Sequence, residues 1–488
     1  MSIINPNPAL RVPRYLGLQS EIQHVRRSKL DRVQRCANDG LHQDLSFLDA
    51  AKPITADEFI QRRDRLASAL AASGIDAFVL EPGYTFQYYG NISQTDWEPW
   101  EPEERPFLMV IMPDFSPNTT DGIKAKTAFL APHFEEGRVR MLGIPSREPE
   151  LDIVAWEEHW NPYTTLHDSH LFGDKSNNFK RQQRQPKLMV DEEIRDYIVR
   201  GLEDAGFETV GSNPAVELVR QQKSSAEVEL LRAVNTGTVE AVRAMRPCLV
   251  PDLTENEVTD ILNKALLSIG FQLFFNIVLF EEHGALPHGG FVTGWKKLTH
   301  ESMVVIDVGA HYLGYSSDIC RSFFIDPPKK KHKCWSKVIV SVLKYLTGFN
   351  AMPADEHCMP SNCELHSEKL LVWNTVLRAQ TAAAQAFQVN ATAASVDIAA
   401  RTVIEDAGYG EAFTHRLGHG IGIKAHESPY LNKWNTDVRL QHGMVFTNEP
   451  GIYLENRFGV RHEDIYLVQE NGEAELLSGR RAKGPYDP

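Results

Sequence analysis

Two pairs of acidic residues in the last third of this 488-residue chain have the spacing of a metal-binding site. Asp307 and Asp318 lie in VVIDVGAHYLGYSSDICRSFF, whose two β-rich runs are expected to fold back near Tyr312 and Leu313. A turn centred between those two residues pairs positions whose numbers sum to 625, as 307 and 318 do. Because directly paired residues have Cβ atoms roughly 5 Å apart, this hairpin is predicted to set the two carboxylates opposite each other.

A second hairpin is predicted in FTNEPGIYLENRFGVRHEDIYLV, which carries Glu449 and Glu463. A reversal at Asn456 pairs positions summing to 912, as 449 and 463 do. Like charges that face each other destabilise a sheet, so two such pairs need cations. Two divalent ions roughly 3.5–4 Å apart would balance four carboxylates. The alternative is a pair of acidic hairpins at the surface with no ion.

Histidines supply the third component of the predicted site. In HRLGHGIG, His419 offers an imidazole nitrogen, which suits Mn, Co, Fe or Zn, and the neighbouring glycines let backbone pass close to a crowded centre. His415 and His426 flank it, and His288 follows Leu-Pro at a strand end. A lone histidine is more often structural, but four beside two carboxylate pairs indicate a functional site.

Composition is that of an ordinary globular protein and excludes some partners. A net charge of −14 and a pI near 5.7 argue against a nucleic-acid or anionic-membrane partner. There is no run of 18 apolar residues and no signal-peptide pattern at the N-terminus. Six cysteines are too few for a disulfide scaffold, so a cytoplasmic location is expected.

The length predicts two domains. Residues 1–53 lack sustained periodicity and are interpreted as an extension or a loosely docked arm. Residues 54–215 alternate helices and strands, which predicts a small α/β domain whose first helix opens with a capping box at Thr55 and Glu58. Residues 222–482 follow the order helix–helix–hairpin–helix–helix–hairpin. That order predicts an α+β domain, built by duplication, with an antiparallel sheet and helices on its outer face.

An unusual insert covers about residues 327–367. It interrupts a place where a short loop would suffice, and long loops of this kind are usually functional or disordered. Its cysteines and histidines do not have the paired spacing of a structural zinc site. A surface loop or a translated intron is therefore the favoured interpretation, and a zinc site is the alternative; its residues would be Cys334, His357, Cys358, Cys363 and His366.

Four segments resemble the M24 metallopeptidases: DVGAHYLGYSSDICRSF, HRLGHGIGIKAHE, GMVFTNEPGIY and GVRHEDIYLV. Within that family they are most similar to the aminopeptidase P and prolidase branch, and to its fungal members. The likeness is strong over about residues 222–482, and residues 55–215 resemble the creatinase-type N-terminal domain. The resemblance implies the pita-bread fold, with two metals in its central cleft. It covers neither residues 1–53 nor the insert.

The resemblance also implies how the metals are held. Asp307 would chelate one ion, His419 and Glu449 would hold the other, and Asp318 and Glu463 would bridge both. A hydroxide shared by the two ions would attack the carbonyl carbon of the scissile bond. The expected cofactor is a pair of divalent ions per chain, with manganese favoured and cobalt or zinc as alternatives.

Further roles follow from the same resemblance. Glu449 would shuttle a proton to the leaving nitrogen, and His288 and His426 would polarise the carbonyl oxygen. Arg461 would hold a bridging carboxylate from behind, and His415 would help to shape the pocket for the proline ring.

These roles imply an exopeptidase that cleaves between an N-terminal residue and a following proline, as an Xaa-Pro aminopeptidase or dipeptidase. The substrate is then a peptide with proline second, and a homodimer is expected by analogy. One alternative is an M24-fold enzyme recruited to non-peptide hydrolysis or lyase chemistry. The lyase offshoot carries an Asp where this chain has Gly309, which counts against it. A non-catalytic peptide-docking scaffold is the other alternative.

His462 departs from the resemblance, because relatives usually carry an aliphatic residue between the arginine and the glutamate. Side chains alternate between the two faces of a strand. We therefore expect His462 to point away from the face that carries Glu463.

Overall fold

The computed structural model describes residues 14–93, 95–97, 106–115, 122–172, 184–326 and 360–488. Side chains are described from residue 26 in the first of these stretches and from residue 366 in the last. Cys334, His357 and Cys358 of the insert therefore lie outside the described residues, as does the side chain of Cys363. The ring of His366 packs against Phe324, with 5.0 Å between ring centroids.

The described part of the N-terminal stretch contains a helix that packs against the second half of the chain, and the interpretation of residues 1–53 as an extension or a loosely docked arm stays a prediction. Helix α1 (Arg14–Leu41) packs against the helices at Ser225–Met245 and Glu255–Ser268. Val33, Ala37 and Leu41 are buried there. Only one residue per turn is buried, and so narrow a stripe is a weak periodic signal.

A disulfide fastens this helix to the rest of the chain. Cys36 of α1 is bonded to Cys248, which lies 212 residues further along the chain. The cysteine count did not predict this bond. Because disulfides persist mainly in oxidising compartments, the bond weighs against the cytoplasmic location, which stays a prediction.

The predicted α/β domain has a six-stranded mixed sheet. Its helices are α2 (Ala56–Ala72), α3 (Tyr84–Gly90), α4 (Glu136–Met141), α5 (Pro162–Asp168), α6 (Asp196–Asp204) and α7 (Pro214–Gln221). Its strands are β1 (Ala77–Leu80), β2 (Leu108–Asp114), β3 (Lys124–Pro132), β4 (Asp152–Trp156), β5 (Lys187–Val190) and β6 (Glu208–Val210), in the order β4-β3-β2-β1-β5-β6. The β3–β4, β1–β5 and β5–β6 pairs are parallel.

Helix α2 has half of the predicted capping box. The Thr55 hydroxyl accepts from the Glu58 N–H, but the Glu58 carboxylate accepts from Arg62 and from the hydroxyl of Ser224 instead of turning back to Thr55. Glu58 thereby links α2 to the second half of the chain. The domain boundary near residues 215–222 stays a prediction.

The second half contains four helices among the described residues. They are α8 (Ser225–Met245), α9 (Glu255–Ser268), α10 (Pro360–Ala386) and α11 (Ala393–Asp406). Both expected capping boxes are confirmed, at Ser224 with Glu227 and at Thr254 with Glu257. Helix α10 begins inside the stretch interpreted as an insert.

Three sheets carry the candidate site. Their strands are β7 (Gln272–Phe280), β8 (Val304–Tyr312), β9 (Tyr315–Ser316), β10 (Ile319–Phe323), β11 (Gly418–Gly420), β12 (Glu427–Leu431), β13 (Val445–Asn448), β14 (Gly451–Leu454), β15 (Phe458–Arg461), β16 (Asp464–Leu467) and β17 (Glu475–Leu476). One sheet has the order β10-β8-β7 with β9 beside β8, another has the order β12-β11-β13-β16-β17, and β14 pairs with β15 alone.

Helices cover these sheets in the expected duplicated pattern. Helices α8 and α9 share an apolar cluster with β7 and β8, which includes Val258, Leu262 and Ile306. Helices α10 and α11 share another with β13 and β15, which includes Val376, Ala400 and Phe446. No helix in the described part of the chain combines the length and the apolar character that crossing a membrane requires.

The register of the aspartate hairpin differs from the prediction. Asp307 lies opposite Cys320, and Tyr312 lies opposite Tyr315, so paired numbers sum to 627. The two-residue turn is Leu313-Gly314, with φ of 48° and 87°. Positive φ at both positions is typical of the type I′ turn, which suits the twist of a hairpin. Asp318 is therefore a diagonal neighbour of Asp307 on the same face.

The register of the glutamate hairpin is confirmed. Gly451 pairs with Arg461 and Asn448 pairs with Asp464, and both sums are 912. The ladder is interrupted between these pairs, where the Glu449 N–H donates to the Leu417 carbonyl over 2.9 Å. Glu449 is therefore held against the strand that carries His419.

Candidate metal centre

All five predicted ligands converge at the junction of the two hairpins. Three overlapping groups have ligand atoms within 4.8 Å of one another. Asp318 and Glu463 each belong to two of these groups, and so does His419. The groups are Asp307 with Asp318 and Glu463, His419 with Glu449 and Glu463, and Asp318 with His419 and His426.

Buried carboxylates at this junction lack the partners that burial demands. Asp307, Asp318 and Glu463 are 5%, 3% and 1% exposed. Oδ1 of Asp307 and Oε1 of Glu463 have no hydrogen-bond partner in the described part of the chain. Burial, together with the neighbouring carboxylates, raises the pKa of both Asp318 and Glu463 well above its ordinary value. Divalent cations would supply the missing charge and fill the free oxygen positions, so the donor set fits a metal centre.

Glu449 differs from the other carboxylates because it faces a histidine. Burial alone would raise the pKa of Glu449, but His419, His415 and Arg461 together outweigh burial and lower the pKa to about 2. Nε2 of His419 lies 3.3 Å from Oε1 of Glu449. Glu449 is therefore ionised at neutral pH.

The imidazole of His419 is oriented for metal binding. Its Nδ1 is 3.0 Å from the Gly420 carbonyl oxygen, which can accept the Nδ1 proton, so that Nε2, now facing Glu449, would be the nitrogen offered to a metal ion. Nε2 lies 3.6 Å from Oδ2 of Asp318. The backbone before His419 passes close to Thr447 of β13. Gly418 makes this possible, because a Cβ there would lie 2.2 Å from the Thr447 carbonyl oxygen.

Arg461 holds one carboxylate of the cluster. Its guanidinium pairs with Asp307, whereas the prediction was that it holds a bridging carboxylate, so that prediction remains untested until the bridging residues are known. The same guanidinium donates to the Pro287 carbonyl over 3.0 Å and to the Tyr453 hydroxyl over 2.8 Å. Its charge opposes the rise that burial causes in the pKa of Asp307.

Tyr453 was not predicted from the sequence. Its hydroxyl is 2.9 Å from Nε2 of His415, whose Nδ1 is 2.6 Å from the Arg416 carbonyl oxygen. Burial lowers the pKa of His415 to about 4, so the ring is neutral and accepts from Tyr453. Tyr453 therefore connects His415 to Arg461 and Asp307. The register of the glutamate hairpin could have predicted this contact. Tyr453 lies opposite Gly459, two residues before Arg461, so the two side chains are diagonal neighbours on one face.

Asn235 of α8 is a second missed contributor. Its side-chain oxygen accepts from the Asp318 N–H over 3.1 Å, in the short gap between β9 and β10. A helix of the outer layer thus fixes the backbone of one predicted ligand. No local sequence signal links these two residues, which are 83 positions apart.

The two outer histidines are placed differently. The ring of His426 lies 4.2 Å from that of His419, and its Nε2 is 3.5 Å from Oδ2 of Asp318. Its side chain is 51% exposed, and burial of the rest, with His419 nearby, lowers its pKa to about 4. His288 is exposed on the loop after Pro287, and its ring makes no hydrogen bond to the described residues. His426 therefore contacts a predicted ligand directly, whereas His288 makes no such contact but lies close enough to affect the pKa of Asp307.

His462 lies on the opposite face, as expected. Its ring is buried at 4.6 Å from that of Trp373, and burial lowers its pKa to about 3. It is neutral there and takes no part in the cluster.

Comparisons with known proteins place the chain beside known peptidases. A sequence model of metallopeptidase family M24 matches residues 229–348 and 361–470. An "uncharacterized peptidase" of Schizosaccharomyces pombe is 35% identical over 462 residues, which are 94% of this chain and 90% of the relative. A "probable dipeptidase PepE" of Mycobacterium tuberculosis is 29% identical over 427 residues, covering 86% of this chain and 95% of the relative.

Solved structures give the same result. The crystal structure of dipeptidase PepE from Mycobacterium ulcerans superposes with a TM-score of 0.67 at 27% identity. The match covers 88% of this chain and 98% of that one. The likeness therefore extends over the N-terminal sheet as well as the metal centre.

Proposed function

Because the chain belongs to metallopeptidase family M24, and is a metal-dependent peptidase with the pita-bread fold, we propose that it cleaves the bond between an N-terminal residue and a following proline. The observation that carries the proposal is the set of overlapping ligand groups, in which Asp307 and Glu463 keep unpartnered oxygens. The motif resemblance and the dipeptidase names of two relatives support the substrate class.

Two divalent ions fit the five ligands. Asp307 would hold one, His419 and Glu449 the other, and Asp318 and Glu463, the two carboxylates that belong to more than one group, would contact both. When bound, such ions acidify a shared water into a nucleophile and polarise the substrate carbonyl. Carboxylates and one imidazole suit manganese, cobalt and zinc, and we favour manganese.

The side chains around the ions complete the proposed mechanism. Glu449 is ionised at neutral pH and can therefore accept a proton from the nucleophile and deliver it to the leaving nitrogen. His426 lies half exposed beside Asp318, where it can donate a hydrogen bond to the oxyanion that forms. His288, which lies close enough to interact with His426, is proposed for the same oxyanion. His415, fixed by Tyr453, would border the proline ring.

Lyase chemistry is less well supported. An acidic side chain at position 309 has no room, since a Cβ there would lie 2.3 Å from the Phe275 ring and 2.8 Å from the Ser317 carbonyl oxygen. A docking scaffold is also disfavoured, because all five ligands are present. Peptide hydrolysis is therefore the function that the site supports best.

A peptide panel tests the proposal. Protein loaded in parallel with Mn, Co or Zn is given Xaa-Pro dipeptides, Xaa-Pro-Yaa tripeptides, and matched peptides with alanine in place of proline. Hydrolysis of the proline peptides by the loaded protein, and its loss in Asp318→Asn, is expected. Absence of hydrolysis of every proline peptide, with the metal shown to be bound, would overturn it.

A further inference from the structure

Arg416 stands at the metal centre without an anionic partner. It lies between His415 and Leu417, directly before β11. Other arginines near the centre are paired, Arg461 with Asp307 and Arg401 with Asp397. The Arg416 guanidinium makes no ion pair or hydrogen bond with the described residues, and its Nε is buried without an acceptor.

The position of this guanidinium is fixed by an aromatic ring. It lies over Tyr430 of β12, with 5.0 Å between the guanidinium carbon and the ring centroid. Tyr430 pairs across the sheet with His419, a predicted ligand. Arg416 therefore borders the centre on the edge that also carries His426, one residue before β12.

Geometry places the charge near the reacting groups. Tyr430, over which the guanidinium lies, pairs with His419, and the ring of His419 lies 4.2 Å from that of His426.

A purely structural role does not account for these contacts. A buried donor without an acceptor costs free energy, as the Nε of Arg416 does here, whereas the guanidinium of Arg401 is matched by Asp397. The half-buried guanidinium of Arg416 is therefore suited to binding an anionic group from outside the chain.

We propose that Arg416 binds a carboxylate of the substrate. A planar guanidinium is suited to such a group, because it donates two parallel hydrogen bonds to the two carboxylate oxygens. The proposal rests on the proposed peptidase function and deepens it. The carboxylate comes either from the C-terminus of a dipeptide or from an acidic side chain on the residue before proline.

Two peptide pairs distinguish these sources. Ala-Pro and Ala-Pro-amide differ in the C-terminal carboxylate, whereas Glu-Pro and Gln-Pro differ in a side-chain carboxylate. The ratio of kcat/KM within each pair is measured for the metal-loaded wild type, Arg416→Gln and Arg416→Lys. Arg200→Gln is the matched control, since Arg200 is an exposed arginine of α6 paired with Asp196.

Arg416→Gln should reduce the preference for the carboxylate-bearing member of one pair by about 10- to 100-fold. Arg416→Lys should restore part of it, because it keeps the charge but not the planar fork, and Arg200→Gln should leave both ratios unchanged. If the preference is lost only between Ala-Pro and Ala-Pro-amide, Arg416 binds the C-terminal carboxylate. If it is lost only between Glu-Pro and Gln-Pro, Arg416 binds the side-chain carboxylate. Unchanged ratios in both pairs would overturn the proposal.

Failure of the parent proposal would look different. If loaded wild-type protein hydrolyses none of the four peptides, the proposed function is wrong. Calorimetric titration of the same peptides into wild type and Arg416→Gln then decides the role of the arginine. Weaker binding of only the carboxylate-bearing peptide by the variant supports it, and equal affinities overturn it.

Discussion

The backbone N–H of Glu463 donates to the carbonyl oxygen of Cys320 over 3.0 Å, and this contact joins the glutamate hairpin to the aspartate hairpin. Arg321 reinforces the junction, since its Nη1 donates to the carbonyl oxygens of both residues. Its charge is balanced by Asp464 over 2.6 Å, in a fully buried pair. The two hairpins are therefore held together at the point where their carboxylates meet.

Replacing Asp318 by Asn should stabilise the metal-free protein, and more so at about pH 8 than at about pH 5. Burial and neighbouring carboxylates raise the pKa of Asp318, so the folded state holds a proton that the unfolded chain, with a pKa near 3.8, has already released. Stability is therefore lost as the pH rises through the raised pKa. Thermal unfolding of both proteins at the two pH values measures the difference.

Two histidines also make stability depend on pH, but comparing the variant with the wild type cancels their contribution. His415 and His426 have lowered pKa values of about 4, so they reduce stability as the pH falls, but they do so in both proteins. The account would be contradicted if the difference in melting temperature between Asp318→Asn and the wild type were the same at the two pH values. Added metal should stabilise the wild type and leave Asp318→Asn nearly unchanged.

Replacing Arg461 by Met should cost about 3–5 kcal/mol of unfolding free energy, because it leaves a buried carboxylate without its cation. Tyr453→Phe should cost about 1 kcal/mol, since it removes one hydroxyl. Urea unfolding of the metal-free proteins measures both values. The double variant Asp307→Asn with Arg461→Met should be more stable than Arg461→Met alone; a less stable double variant would show that the pair is not the cause.

Sequence reasoning placed the ligands but not the groups that fix them. The pairing sum predicted the register of the glutamate hairpin correctly, since the reversal at Asn456 is correct. It misplaced the aspartate turn by one residue, because Leu313 at positive φ has no distinctive signal of the Asn-Gly kind. The two aspartates still meet, since a shift of two in the pairing sum preserves the face.

Long-range partners escaped prediction for a physical reason. Arg321 and Asp464 are 143 residues apart, and Asn235 reaches Asp318 from another layer. Such contacts depend on how the hairpins pack, which local periodicity does not encode. The disulfide between Cys36 and Cys248 belongs to the same class, since only the docking of α1 brings the two sulfurs together.

Removing the disulfide with Cys36→Ser and Cys248→Ser together should cost about 2–4 kcal/mol, because the bond closes a loop of some 200 residues in the unfolded chain. Chemical denaturation with and without reducing agent measures it. The reducing agent should lower the midpoint of the wild type and leave the double variant unaffected. Equal midpoints for the oxidised wild type and the variant would contradict the prediction.

His426→Ala should lower kcat by about 10²–10³-fold while the metal content stays unchanged, because the ring borders Asp318 without completing its ligand set. The matched control is His133→Ala, at an exposed histidine of the N-terminal domain, which should have no effect. Elemental analysis and steady-state kinetics on the same samples check both. If His426→Ala loses metal, His426 is a metal ligand, and the prediction that it acts on the substrate is wrong.

Elemental analysis of active protein tests the central claim most directly. Turnover of an Xaa-Pro peptide and transition-metal content are measured on one purified sample during chelation and reloading. The account predicts activity that rises with metal until two ions are bound per chain, and a loss of at least about 10³-fold in Asp318→Asn and in Glu463→Gln. Full activity without stoichiometric metal, or with both substitutions in place, would contradict it.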